Sequence, residues 1–360
     1  MKVADRNLRA TIQDRGNIAL GASVHDALLP QAKWPIFCCP EHCKPLIDRD
    51  AFLECPEGEH FPLSQGIPRF VGTKSYADAF GAQWKRYRLT QLDSFSGVPI
   101  TEGRMRRCLG EELWANLEGK HVLECGCGAG RFTEILLRRG ALVTSIDLSD
   151  AVEANQQNFP QSGTHRIAQA DILQLPFAPR QFDVVFCLGV VQHTPKPERT
   201  MAALSGHVKA GGSLIIDHYA YRFSEFTKSA AVLRPFLKRL SPAAGLQCTE
   251  EIVRLLLPFH KRVRHSRRAQ MFLSRISPVL CYYQAYPELN DETQHQWALV
   301  DTHDSLTCWY RRFRTRSQIE RTLRSLGLTQ IVCRYGGNGV EARASVPSHQ
   351  ALQDGAKAGL

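Results

Sequence analysis

The stretch from residue 121 to 220 constrains the fold most tightly. Short apolar runs, "HVLEC", "LVTSID", "FDVVFCLGV" and "SLIIDHYA", alternate with runs of helical spacing, "RFTEILLRRG", "SDAVEANQQNF" and "RTMAALSGHV", while "RIAQAD" supplies a further strand. Strands alternating with helices in this way predict an α/β fold with a parallel, doubly wound sheet. Ligands of such sheets bind beyond the carboxyl ends of the strands, near the point where strand order reverses. The first strand enters that region through "CGCGAG", where Gly126 and Gly128 let the backbone bend sharply and approach a bound molecule closely.

The glycine pattern is G-x-G-x-G, with Arg131 where a dinucleotide fingerprint carries its last glycine. Glu124, two residues before the first glycine, would repel a pyrophosphate and suits a cationic amino-acid ligand instead. Asp147 ends the second strand about 20 residues further on, where an acid can accept both hydroxyls of a ribose. Asp171 closes the third, where it can meet an adenine amino group. On these residues the chain resembles the class I S-adenosylmethionine-dependent methyltransferases. "VLECGCGAGRF", "SIDLS", "QADILQLPF", "FDVVFCLGVVQHT" and "VKAGGSLII" look like their successive motifs, over residues 119–220 and again near 315–345. The resemblance implies a Rossmann-like seven-stranded methyltransferase sheet and S-adenosylmethionine as cofactor. It also implies the contacts: Glu124, Gly126, Cys127 and Gly128 at the methionine end, Asp147 and Leu148 at the ribose, Asp171 and Ile172 beside the adenine, and Leu188 beneath the cofactor. Cys125 and Cys127 read as packing residues rather than nucleophiles.

Methyl transfer needs above all the alignment of a nucleophile with the S–CH3 bond. A base helps when the acceptor is a hydroxyl or amine. After the fourth strand the chain reads "GVVQHTPKP", without the Asn/Asp-Pro-Pro-Tyr/Phe or Pro-Cys motifs of enzymes that methylate nucleic-acid bases at amino groups or at cytosine C5. His193 in this loop is the candidate base, since an unperturbed imidazole exchanges protons near neutrality. Tyr219 at the end of the fifth strand is a candidate for the substrate side. Asp301, Asp304 and Tyr310 join it, from "WALVDTHDSLTCWYRRF", which resembles an Asp-rich loop returning to the active site in small-molecule methyltransferases. The expected acceptor is a small or medium-sized molecule; RNA is the alternative.

Near the start, "CCPEHCKPLIDRDAFLECPEGEHFPLSQGIPRFV" sets Cys39-x3-Cys43 about a dozen residues before Cys55-x4-His60. Two short ligand pairs at this distance predict a zinc-ribbon-like module over 34–72, held by structural zinc because so small a segment lacks its own core. The stretch is similar to the module that precedes ribosomal-RNA guanine N1-methyltransferases, but each ligand pair is one residue longer. That leaves Cys38 or His42 as substitute ligands, or a ribbon without metal. The cysteines beyond it scatter into strands and helices, as small apolar core residues do.

The expected organisation is an extension (1–33), the ribbon, a helical cap (73–118), the core (119–220 and 300–346), a helical insertion after the fifth strand (221–299) and a tail (347–360). Much of the formal net charge of +10 comes from 221–330, with 18 Lys/Arg against 9 Asp/Glu. Within it "HKRVRHSRRAQMFLSRI" is basic and amphipathic. A solvated lid, peripheral contact with an anionic membrane and a phosphate backbone all remain open for it. No apolar run approaches the roughly 18 residues of a spanning helix. "MKVADRNLRATIQDRGN" lacks the apolar centre of a secretory signal, so a cytoplasmic protein is expected.

Overall fold

The computed structural model describes residues 34–72 and 74–348; the expected extension and most of the expected tail lie outside the described residues. The central sheet is built from β5 (His121–Cys125), β6 (Leu142–Asp147), β7 (His165–Gln169), β8 (Phe182–Cys187), β9 (Val208–His218), β10 (Thr329–Gly336) and β11 (Gly339–Ser345), in the spatial order β10-β11-β9-β8-β5-β6-β7. Strands β5 to β9 run parallel, while β11 is antiparallel to both β9 and β10. Strand order reverses between β5 and β8, which puts the ligand crevice beyond their carboxyl ends.

The strands form because their residues can be buried on both faces, as the near-continuous apolar runs required. Leu123, Ile146, Val185 and Leu214 pack on one face, and Val122, Val143, Val184 and Ile215 on the other. Helices α5 (Arg131–Arg138), α6 (Ala151–Asn158), α7 (Pro197–Gly206) and α12 (Arg316–Ser325) cover the sheet. The last begins in a reciprocal capping box of Thr315 and Gln318. The closing hairpin turns through Gly337–Asn338, because Gly336 already pairs with Gly339, one residue earlier than an Asn-Gly turn would do it.

Ahead of the core lie two smaller pieces. Strands β1 (Ile47–Arg49), β2 (Phe52–Glu54), β3 (His60–Ser64) and β4 (Ile67–Pro68) make a four-stranded antiparallel sheet. Its end runs beside β7, with Arg69 bridging Gln169 in parallel and Phe70 N–H donating to the Gln169 carbonyl at 2.8 Å. The small sheet thus protects an otherwise open edge strand. Helices α1 (Asp78–Arg86), α2 (Asp93–Ser96), α3 (Ile100–Leu109) and α4 (Glu111–Ala115) follow, and Met105, Cys108 and Leu109 of α3 join the core with Phe132 and Phe186.

After β9 come α8 (Ser229–Leu237), α9 (Pro242–Arg262), α10 (Arg267–Ile276) and α11 (Asp291–Thr307). The segment expected as an Asp-rich loop is therefore the second half of α11. Asn290 caps that helix by accepting from the Thr293 N–H at 2.9 Å, and the helical insertion runs to residue 307 rather than 299.

Candidate active site

Positive φ at Gly126 (+77°) and Gly128 (+51°) turns the chain out of β5 and into α5. A Cβ on Gly126 would lie 2.2 Å from Val190, and one on Gly128 would lie 3.1 Å from Trp84 Nε1. Side chains of the loop after β8 and of α1 therefore crowd both glycines. Beyond them opens a cavity of about 1000 Å³. That is the upper end of the ~300–1,000 Å³ usual for one ligand, so a nucleoside cofactor and an acceptor fit side by side.

Gly126, Cys127, Gly128, Asp147, Leu148, Asp171, Ile172 and Leu188 all line this cavity, as do His193, Tyr219, Asp301 and Asp304. Asp147 accepts from the Gly128 N–H at 3.0 Å and from the Ser149 N–H and hydroxyl at 2.9 and 2.7 Å. Burial pushes its carboxyl above the ordinary value, and these donors pull it back. Asp171 caps the short turn at 172–174 through the Leu173 N–H at 2.9 Å. The acids at the ends of β6 and β7 thus flank a glycine cradle and a large cavity, an arrangement that fits S-adenosylmethionine.

Glu124 departs from the expectation. The two-residue period of β5 turns it to the face of α5, where it accepts from Thr133 and Ser145 hydroxyls at 2.5 and 3.0 Å, and it does not line the cavity. Only 1 % of it is exposed, and burial raises its carboxyl to about 7 against an ordinary 4.5. A raised acid favours the fold while protonated in both states and loses that advantage as pH climbs from 4.5 to 7. The loss is roughly 3 kcal/mol. Glu124→Gln should abolish it, so urea unfolding should show the variant gaining about 3 kcal/mol on wild type between those limits; parallel pH curves would refute this.

On the acceptor side, His193 is buried in the turn after β8. Its Nδ1 lies 3.0 Å from the Tyr310 carbonyl, which accepts its proton, and Nε2 lies 3.5 Å from Asp304 Oδ1. Edge-on contacts with Phe80 and Tyr219, both at 5.3 Å, fix the ring. Burial opposes a charged imidazole, but Asp304 and Cys308 outweigh it and lift His193 to about 9. His193, Asp304 and Cys308 each offer a donor atom within 4.8 Å of the others. The Arg234 guanidinium lies 3.5 Å from the Cys308 sulfur, a positive charge that disfavours a cation there. Tyr310 serves through its backbone: its ring packs on Tyr76 and does not line the cavity.

Asp301 and Asp304 share one face of α11. The oxygens of Asp301 are taken by Gln91 at 3.0 Å and by the Tyr282 hydroxyl. Asp304 Oδ1 has no hydrogen-bond partner, and its other oxygen meets the Tyr219 hydroxyl only at 3.5 Å.

Several lining residues escaped the sequence reading. Tyr282, Tyr286 and Trp297 form an aromatic wall with ring centroids 5.5–5.6 Å apart. Arg131, 5.5 Å from the Trp297 ring, donates among the described residues to the neutral oxygens of Gln91 and Thr101, and its Nε meets no partner there. Buried Asp217 holds Arg104 and the Gly189 N–H, bracing the tips of β8 and β9. A lone acid in the apolar run "SLIIDHYA" was its one sequence signal.

In the small sheet the structure brings together a group other than the one expected from spacing. Cys39, His42, Cys55 and Glu59 bring donor atoms within 4.8 Å of one another, with His42 Nδ1 3.5 Å from Cys39 Sγ and 3.1 Å from Glu59 Oε2. Cys43 is exposed, because the turn closed by its N–H on the Cys39 carbonyl offers the preceding His42 to the cluster. His60 lies on an exposed strand position, its ring tilted against Phe52 at 4.5 Å.

The family described as "Methyltransferase domain" matches residues 123–216. A ubiquinone biosynthesis O-methyltransferase of Azoarcus sp. is 32% identical over 164 residues, which cover 45% of this chain and 68% of the relative. One of Coxiella burnetii is 33% identical over 118 residues, covering 32% of this chain and 50% of the relative. The chain thus spans about half the length of the latter. Among solved structures, magnesium protoporphyrin IX methyltransferase from Synechocystis, with bound SAH, aligns at 14% identity and a TM-score of 0.40, over 76% of this chain and 97% of that one. The chain belongs to the class I S-adenosylmethionine-dependent methyltransferases.

Proposed function

We propose that this enzyme methylates a hydroxyl group of a small aromatic molecule. The observation that carries the reading is His193, hydrogen-bonded at Nδ1 and facing the cavity beside Asp304, opposite a wall of Tyr282, Tyr286 and Trp297. When bound, the cofactor supplies an electrophilic methyl group on a sulfonium whose charge opposes protonation of His193. With Nδ1–H given to the Tyr310 carbonyl, the neutral ring keeps its Nε2 lone pair for the proton of an acceptor hydroxyl. Asp304 stabilises the imidazolium formed. The aromatic wall suits a flat ring. Arg131, charged and without a carboxylate partner among the described residues, suits an anionic group. Asp147 and Asp171 hold the ribose and adenine of the cofactor. The names of the curated relatives support methyl transfer to a hydroxyl of a small molecule over RNA.

The test is to incubate the protein with methyl-labelled cofactor and a metabolite extract, then identify the labelled product by mass spectrometry. An aryl methyl ether is expected. Label confined to nitrogen, carbon or RNA would overturn the reading.

For the small sheet, Cys39, His42, Cys55 and Glu59 fit structural zinc, whose tetrahedral shell takes S, N and O donors. Glu59 Oε2, 3.1 Å from His42 Nδ1 and close to both sulfurs, supports this set. We expect about one zinc per chain in protein purified without a polyhistidine tag. Cys55→Ser should empty the site and Cys43→Ser should leave it filled; the opposite pattern would restore the ligand set expected from spacing.

A further inference from the structure

The helical insertion carries a combination that no part of the methyl-transfer site uses. Large apolar side chains stand in solvent on consecutive helices: Val232 and Phe236 on α8, Leu255 and Phe259 on α9, Met271, Phe272 and Ile276 on α10. Phe236 is 72% exposed and Phe272 69%. Val232 and Phe236, Leu255 and Phe259, and Phe272 and Ile276 each stand four residues apart and so share a face of their helix, with Met271 next to Phe272. Helix α10 buries only Gln270, so its apolar side chains face outward instead of joining the core.

These side chains continue to the cavity. Arg275 near the end of α10 donates to the Thr227 hydroxyl at 2.8 Å. The adjacent Phe226 packs 5.8 Å from Tyr221 and 5.5 Å from Phe313, which lines the cavity wall. Phe223, 75% exposed, stands beside them in the chain.

Charge decides what covers this surface. Residues 221–280 hold 12 Lys/Arg against 3 Asp/Glu. Lys228, Arg254 and Lys261 meet carboxylates, whereas Arg262, Arg267, Arg268 and Arg275 meet none among the described residues. A second copy of the chain would bring the same positive charge to the contact. A phosphate backbone would neutralise the arginines but leave phenylalanine, isoleucine and methionine without a partner, since its contacts are polar and ionic. Anionic lipid satisfies both, with headgroups for the arginines and acyl chains for the apolar tips. Among the described residues no helix is long and apolar enough to cross a membrane, so the contact is peripheral.

We propose that helices α8 to α10 dock this enzyme onto an anionic lipid bilayer, with the cavity edge at Tyr221, Phe226 and Phe313 beside the membrane. The inference does not depend on the acceptor assigned above and is tested without methyl transfer.

The experiment floats the full chain with vesicles of equal parts phosphatidylglycerol and phosphatidylcholine. The protein should rise with them, and its partitioning should fall about tenfold or more on phosphatidylcholine alone. Phe236→Glu with Phe272→Glu should lose partitioning by a similar factor while still binding S-adenosylhomocysteine in calorimetry. Should that pair fail to fold, Arg267→Glu with Arg268→Glu serves the same purpose. Wild type left at the bottom of the gradient, equal flotation on both lipids, or unimpaired flotation of a folded variant would each overturn the proposal. So would binding to polyuridylate RNA at a salt concentration where vesicles bind nothing.

Discussion

His193→Ala lowers kcat about 10²–10⁴-fold, the usual contribution of a positioned general base, and leaves S-adenosylhomocysteine affinity unchanged. The imidazole touches the acceptor side of the cavity and supports no part of the glycine cradle, so binding and turnover separate. Its pH dependence has a fixed sign. Asp304 and Cys308 hold the imidazolium against burial and place the free protein's His193 at about 9. Neutral imidazole, the form able to take a proton, therefore becomes more abundant as pH rises, and kcat should climb along an ascending limb. Asp304→Asn removes the carboxylate that favours the charged ring, so the limb should move to lower pH. Tyr219 and Asp301 also face this ring's surroundings and stay unchanged in that variant. A profile that ignores both substitutions, or a His193→Ala enzyme with full turnover, removes this residue from the chemistry.

Asp147→Ala should weaken S-adenosylhomocysteine binding about 10²–10³-fold. Hydrogen bonds to a charged group contribute roughly 1.5–3 kcal/mol each, and two ribose hydroxyls on one carboxylate, each near the lower end of that range, amount to about 3–4 kcal/mol at 1.4 kcal/mol per decade. The same carboxylate holds the Gly128 N–H, so its loss also loosens the cradle. Asp171→Ala, which gives up one contact to the adenine amino group and the cap of the 172–174 turn, should cost about tenfold. Calorimetric titration separates the two. Equal affinities for wild type and Asp147→Ala would mean that the acid at the end of β6 plays no part in holding the nucleoside.

Much of the cofactor side was legible in the chain because its determinants are local. A glycine that must adopt positive φ, and an acid at the last position of an apolar run, are written where they act. Gly126, Gly128, Asp147 and Asp171 all reach the cavity for that reason. Glu124 is not among the residues lining the cavity, because strand alternation turns it toward Thr133 and Ser145. The ribbon shows a finer limit. Spacing marked four candidate ligands, yet the turn at Cys43, with φ +54°, leaves its neighbour His42 beside Cys39 and Cys55. Glu59, rather than His60, stands with them.

The acceptor side was legible in part. Asp301 and Asp304 were found, but as a loop, since only the Asn290 cap and the burial of Trp297 and Leu306 show a helix carrying them inward. His193 and Asp304 lie 111 residues apart, Arg104 and Asp217 lie 113 apart, and nothing in either neighbourhood announces its partner. Period, glycine geometry and strand-end chemistry act within a few residues, so the chain by itself determined the sheet, the cradle and the cofactor. Which side chains face one another across the cavity depends on how the insertion folds back over the strand ends. That is a packing outcome, set by the burial of α9 and α11 against α1, and only the tertiary structure decided it.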